Sequence, residues 1–295
     1  MLGYAYIGVV QVLEERGILK HCKRFGGASA GAMAAGLLAC GASSAILAQA
    51  LGSLDATTMQ DSSANLLVNV YDLWHDGGWA KGEALEKWYG DLLAQLCGGA
   101  DQRNITLSQV YARFGNTVVL SQTCLESGTT HYYCKDTKPD LPLARAVRMS
   151  AGYPILYPMV IYEGNHWWDG GIGDNYPIHV FDSDDLLLVG KHDKTRVANA
   201  ATVGFKLVSS LDQPLGQRHR QSTPIHNVYD AIKSVGNMVL AMSRQLHVHA
   251  RDWERSVLID VGQLSAIDFN LNQSEKDALI SNGRSATEAF LAARK

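Results

Sequence analysis

The sequence predicts an α/β fold, a largely parallel sheet with helices on both faces, and three observations carry that reading. Residues 4–15 and 83–96 place apolar side chains three and four apart, the period of a helix packed along one side. From residue 116 the period changes, and β-branched or aromatic runs at 116–122, 129–134, 159–162 and 166–168 alternate with helical segments. Residues 185–190 contain the unbroken run Leu186-Leu187-Leu188-Val189, the type of strand that is buried on both faces of a parallel sheet.

The elements follow in order. Ile7, Val10 and Leu13 share one face of the first helix, which ends at Arg16-Gly17 with a cation in its last turn and a glycine after it. The chain thus opens directly on a helix. His21-Cys22-Lys23-Arg24-Phe25 is a short approach strand, and residues 30–40, small and apolar, form a helix that stops at Gly41. Ser43 or Ser44 caps a further helix to Leu51. Residues 55–76 are mixed in pattern, with 66–74 helical. Leu85, Trp88, Tyr89, Leu92, Leu93 and Leu96 form a core-packing stripe, and Thr106-Leu-Ser-Gln109 is a capping box opening a helix to Phe114. Residues 143–151 are helical, and the strands at 159–162 and 166–168 pair across Glu163-Gly164-Asn165. A long helix over 227–253, a strand over 257–261 and a helix over 274–291 broken at Gly283 complete the chain. The polar stretch 211–223 reads as a surface loop within a single domain spanning 1–295.

Composition narrows the function. With 46% hydrophobic residues the chain can bury a sizeable core, and a net charge of -3 offers no basic face for nucleic acid. Five scattered cysteines, odd in number and without Cys-x-x-Cys spacing, read as reduced thiols rather than a disulfide framework or zinc site. No secretory leader is expected from the opening residues and no apolar run reaches membrane-spanning length, so the expected location is cytoplasmic. Contact with lipid would be peripheral, and residues 66–79 are a candidate apolar surface for it, against the plainer reading that they do not face lipid.

The chemistry starts at Phe25-Gly26-Gly27-Ala28-Ser29-Ala30-Gly31-Ala32. In Gly-x-Ser-x-Gly, glycines flank a sharp strand-to-helix turn that presents the serine outward, and the helix behind it favours negative charge at Ser29. Acyl transfer needs that arrangement, because a carbonyl oxygen becomes an oxyanion. The plain alternative is a buried Gly/Ala/Ser helix start. Asp169-Gly170-Gly171 follows Trp167-Trp168 at a strand end, where an aspartate beside a serine acts as general base and apolar neighbours raise its basicity. The same tripeptide also suits a surface turn. A Ser-His-Asp triad is the mechanistic rival, with His179, His192, His219, His226, His247 and His249 after the acid, none in a recognisable loop. Residues 36–41 lack the Gly-Lys-Ser/Thr ending of a phosphate loop.

Gly-Ala-Ser-Ala-Gly after the helix Ile-Gly-Val-Val-Gln-Val-Leu-Glu-Glu-Arg-Gly, then Ser150-Ala-Gly-Tyr-Pro154, then Asp169-Gly-Gly-Ile-Gly-Asp-Asn175-Tyr-Pro177 resembles the patatin-like phospholipase family. The tail, with Asp268-Phe269, Leu279-Ile280, Gly283 and Phe290-Leu291, is similar to the end of that domain. The resemblance implies a three-layer α/β/α fold with a mostly parallel central sheet. It also implies a lipid acyl hydrolase of phospholipase A or lysophospholipase type, with Ser29 as nucleophile, Asp169 as base and neither metal nor cofactor. The family opens on a strand and a glycine-rich loop forming the oxyanion hole. Here Gly3 matches only the last glycine of that loop and Leu2 stands where its cation would be, so the first strand is expected to be absent. Gly3 and Ala30 N–H groups would remain as oxyanion donors, with Gly170 and Gly171 as support. The departure motivates the alternative of a catalytically inactive module that binds lipid or a protein partner.

Overall fold

The computed structural model describes residues 2–54, 83–153, 157–183, 197–209, 250–264 and 271–294. Helix α1 (Tyr4–Glu15) closes at Gly17, whose φ of +67° lies in the left-handed region open to glycine. Strand β1 (Arg24–Gly27) leads through Ala28 and Ser29 into α2 (Ala30–Ala39), which ends before Gly41. Ser43 caps α3 (Ser44–Ser53) by accepting from the Ile46 N–H. Helix α4 (Glu83–Leu96) precedes α5 (Leu107–Phe114), which opens on the reciprocal Thr106–Gln109 capping box. Then follow β2 (Thr117–Cys124), β3 (Thr129–Tyr133), α6 (Leu143–Ser150), β4 (Val160–Tyr162) and β5 (Asn165–Asp169). Strand β6 (Gly204–Val208), the short α7 (Ala250–Trp253), β7 (Ser256–Asp260) and α8 (Gln273–Ala292) complete the described elements.

Strand β2 is buried along its whole length, and its alternate residues enter different cores. Val118 and Leu120 join Leu37, Leu93 and Val147 in the main core, whereas Val119 packs with Tyr132, Cys134, Val180 and Phe181. Neighbouring side chains of a strand point to opposite faces, so this division means that both faces of the sheet are covered. The edges of β2 are used unequally. Strand β3 pairs antiparallel along one edge from Leu120 to Cys124. The other edge is shared: β1 runs parallel and ends with Gly27 opposite Leu120, and β5 runs antiparallel and ends with Asp169 opposite Gln122. Two segments that approach head-on along one edge must both leave it at the same place, opposite Ser121. Strand β4 pairs antiparallel with β5 through a tight hairpin in which Glu163 and Gly164 both have positive φ, the geometry that matches strand twist. Strands β6 and β7 form a separate parallel pair.

The structure corrects one expectation at the C-terminus. Helix α8 runs unbroken through Gly283. That glycine is a crossing point: a Cβ there would lie 2.0 Å from the Ala5 carbonyl oxygen, and one on Gly8 would lie 2.0 Å from the Ile280 carbonyl oxygen. The two glycines let α1 and α8 cross at backbone contact. At an open helical site Gly→Ala stabilises by up to about 1 kcal/mol. Here Gly8→Ala and Gly283→Ala are each expected to destabilise by about 2–3 kcal/mol, because carbonyls cannot swing aside as side chains do. Urea unfolding midpoints of the two variants check this, and a gain in either would contradict the crossing.

All five cysteines are free. Among the described residues no helix is long and apolar enough to cross a membrane. The helix expected at 66–74, the apolar surface at 66–79, the strand at 185–190, the loop at 211–223, residues 227–249 of the long helix and Asp268-Phe269 lie outside the described residues.

Candidate active site

Ser29 sits where β1 gives way to α2, with φ 54° and ψ −124°, one of two non-glycine residues with positive φ among those described. Such a conformation costs on the order of 1–3 kcal/mol and persists only where its surroundings enforce it. Two contacts do so. The Ser29 N–H donates to the carbonyl oxygen of Ser150 at 3.2 Å and to its hydroxyl at 3.3 Å, anchoring the turn on the end of α6. Gly27 then passes against the first turn of α2 so closely that a Cβ would lie 2.3 Å from the Gly31 carbonyl carbon. Gly31 differs, since the nearest atom to a Cβ there is the Tyr6 hydroxyl at 3.7 Å. Of the two flanking glycines, only Gly27 is required by close approach.

The meeting point on the β2 edge brings Asp169 to Ser29. The Ser29 hydroxyl donates to Asp169 Oδ2 at 2.8 Å, across 140 residues of sequence. Asp169 has no exposed surface, and its other oxygen accepts the Gly171 N–H at 2.7 Å. Its backbone is held as well, with its N–H donating to Gly152 and its carbonyl accepting from the Thr123 hydroxyl. Gly170 presses on the edge of β2, where a Cβ would lie 2.1 Å from the Ser121 carbonyl oxygen. The loop beyond is pinned through Asp174. Its N–H donates to Gly170, while its carbonyl accepts from the Ser121 hydroxyl. Its carboxylate accepts from the Tyr176 N–H at 3.0 Å and the Tyr132 hydroxyl at 2.8 Å. Burial first, and then the adjacent Asp174 charge, push the Tyr132 phenol far above its ordinary pKa, so it remains a proton donor to that carboxylate.

The described residues singled out in the sequence therefore fall into four places. Ser29 and Asp169 are joined directly. Gly3 and Ala30 line one pocket with Ser29, and a Cβ on Gly3 would lie 3.8 Å from that of Ala30. Gly170 and Gly171 are buried behind the carboxylate, where they position it. His179 belongs to a different cluster, with Nδ1 3.5 Å from Asp174 Oδ2 and its ring edge-on to Tyr132. His192, His219, His226, His247 and His249 lie outside the described residues.

The pocket beside Ser29 is walled on one side by Met33 and Leu37 of α2 and Leu47 and Leu51 of α3, and elsewhere by Trp88, Tyr157, Asn175, Tyr176 and residues 205–207. Trp88, read from the sequence as part of a core stripe, is thus partly a pocket wall, with its indole N–H donating to the Ser53 hydroxyl. Ser150 and Asn175 fall within the motifs that carry the family resemblance, which assigned them no role, and Lys206 carries no local signal that would have marked it. In the first turn of α2 the Gly31 and Ala32 N–H groups donate to the carbonyl oxygens of Ala28 and Ser29, and the positive end of the helix faces the turn that carries Ser29.

Comparison with known proteins matches the chain to one family. The sequence model described as Patatin-like phospholipase matches residues 1–182. The uncharacterized protein YqhO of Bacillus subtilis (strain 168) is 28% identical over 305 residues, covering 98% of this chain and 94% of that protein. A probable lipid hydrolase of Invertebrate iridescent virus 6 is 24% identical over 78 residues, 26% of this chain and 27% of that protein. Among solved structures, VipD from Legionella pneumophila shares the fold with a TM-score of 0.64 at 17% identity, covering 99% of this chain and 65% of that one. This chain thus spans just under two thirds of VipD.

Proposed function

Because the chain belongs to the patatin-like phospholipase family, we propose that it hydrolyses carboxylic ester bonds of lipids through an acyl-enzyme formed on Ser29, with Asp169 as general base. The observation that carries the reading is the 2.8 Å hydrogen bond from the Ser29 hydroxyl to Asp169, at the wall of an apolar pocket. Asp169 takes the Ser29 proton as Oγ bonds to the ester carbonyl carbon, and the carbonyl oxygen becomes an oxyanion. That charge develops against the N-terminal end of α2, where the Ala30 N–H is the donor this reading assigns, with Gly3 lining the same pocket. Collapse of the intermediate expels the alcohol, which takes the proton back from Asp169, leaving acyl-Ser29. Asp169 then deprotonates a water that attacks the acyl carbon, and Ser29 leaves with its proton restored. The acyl chain lies along Met33, Leu37, Leu47 and Leu51, and the protein meets lipid peripherally.

The reading predicts fatty-acid release from phospholipid vesicles. In oxygen-18 water one labelled oxygen enters the released acid, because the acyl carbon is the site of attack. Release of a phosphorylated head group without fatty acid, or acid free of label, would overturn it.

A further inference from the structure

Asn175 lines the Ser29 pocket between two residues that are tied down on either side of it. Before it, the Asp174 carboxylate accepts from the Tyr132 hydroxyl and the Tyr176 N–H, and the Asp174 N–H donates to Gly170. After it, the Tyr176 hydroxyl donates to that of Ser256 at 2.7 Å. The backbone of Asn175 is thus held, while its carboxamide makes no hydrogen bond to any described residue. The carboxamide stands beside the general base. A Cβ on Gly171 would lie 2.6 Å from Asn175 Oδ1 and 2.9 Å from Asp169 Oδ1, so the two oxygens flank the space that the bare glycine leaves open. An amide fixed there, with its acceptor and both donors unused, is ready for a polar atom that arrives with the reaction.

The hydrolytic water is that atom. Once Ser29 carries the acyl group its Oγ has no proton to donate, and Asp169 Oδ2 loses the donor it has in the resting enzyme. The water that Asp169 deprotonates takes that place. A single partner leaves a water free to turn, whereas ordered buried waters make about three hydrogen bonds. We propose that the Asn175 carboxamide is the second partner of this water, a further catalytic group that acts in deacylation. The water directs one proton to Asp169 Oδ2 and the other to Asn175 Oδ1, which leaves a lone pair for the acyl carbon. As the new oxygen–carbon bond forms, the first proton passes to Asp169; as the bond from carbon to Ser29 Oγ breaks, Oγ takes that proton. The second proton stays on the released carboxylic acid. Acylation uses no water, so Asn175 has no part in it. This inference rests on the Ser29–Asp169 reading above and adds a group to its second half.

The test separates the two half-reactions in Asn175→Ala and in Asn175→Leu, the second close to asparagine in volume but apolar. The rate of fluorophosphonate labelling at Ser29 reads acylation and counts the folded protein. The burst of p-nitrophenol from p-nitrophenyl butyrate, and the decay of butyryl-enzyme followed by intact mass, read deacylation per labelled serine. Both variants are expected to label within about threefold of the wild-type rate, while their butyryl-enzyme decays about 10- to 100-fold more slowly, the cost of a misplaced reactant. Each should therefore release a burst of about one equivalent and then turn over slowly. Decay unchanged in both variants, or labelling lost or slowed as much as decay, overturns the role of Asn175 and leaves the hydrolase reading intact. A wild-type protein that takes no label and releases no p-nitrophenol removes both.

Discussion

Ser29→Ala is expected to lower the kcat for ester hydrolysis by about 10⁴- to 10⁶-fold, and Asp169→Asn by about 10³- to 10⁴-fold. The larger loss falls on the serine because it forms the covalent bond. The asparagine fills the same buried volume, and its amide oxygen can still accept the Gly171 N–H. Its NH₂ group then replaces Oδ2 opposite the Ser29 hydroxyl, a donor where an acceptor is needed. The two residues act as one unit, so the double variant should be little slower than Ser29→Ala alone. KM should change little, since the apolar pocket holds the ground state. Steady-state kinetics on p-nitrophenyl butyrate read all three variants, with thermal unfolding to show that each is folded. Either single variant retaining more than about a tenth of wild-type kcat would contradict the dyad.

The second large effect separates two glycines that a Gly-x-Ser-x-Gly pattern treats alike. Gly27→Ala places a methyl group 2.3 Å from the Gly31 carbonyl carbon, 2.4 Å from its oxygen and 2.7 Å from the Ala32 nitrogen. These are backbone atoms of the helix that carries the serine, so relief requires moving the turn itself. A loss of about 3–4 kcal/mol in stability is expected, with activity lost in whatever fraction stays folded. Gly31→Ala meets only the Tyr6 hydroxyl at 3.7 Å and sits in the first turn of α2, where alanine is the better helix former. Its stability should match or exceed wild type. Because Gly31 lines the pocket beside Ser29, its effect should appear in kcat/KM. Urea midpoints of the two variants measured side by side check the contrast, and equal destabilisation would contradict it.

Local features of the fold were legible in the sequence where a local cause exists. The capping box at Thr106–Gln109, the Gly17 and Gly41 helix ends and the Glu163-Gly164 hairpin each arise from residues within a few positions of one another, and each forms where the pattern puts it. Gly283 was misread because a glycine that breaks a helix and one that lets two helices touch look the same until the partner helix is known. Strand β6 escaped notice because all five of its residues are half-buried, so it lacks the alternation that marks a strand with one wet face.

The site divides in the same way. Ser29 and Asp169 are visible as short motifs, but what joins them is the shared edge of β2. There Gly27 and Asp169 end two residues apart along the strand, a separation of about 7 Å. No window of sequence contains that fact. Ser150 and Lys206 reach the site through tertiary contacts alone, Ser150 from 121 residues away.

The central claim is that Asp169 activates Ser29, and covalent labelling with a fluorophosphonate ester tests it most directly. One equivalent of label should attach to the wild-type protein, peptide mapping should place it on Ser29, and Asp169→Asn should slow its attachment by about 10³-fold or more. Label on a different residue, or an Asp169→Asn protein that reacts as fast as wild type, would contradict the account.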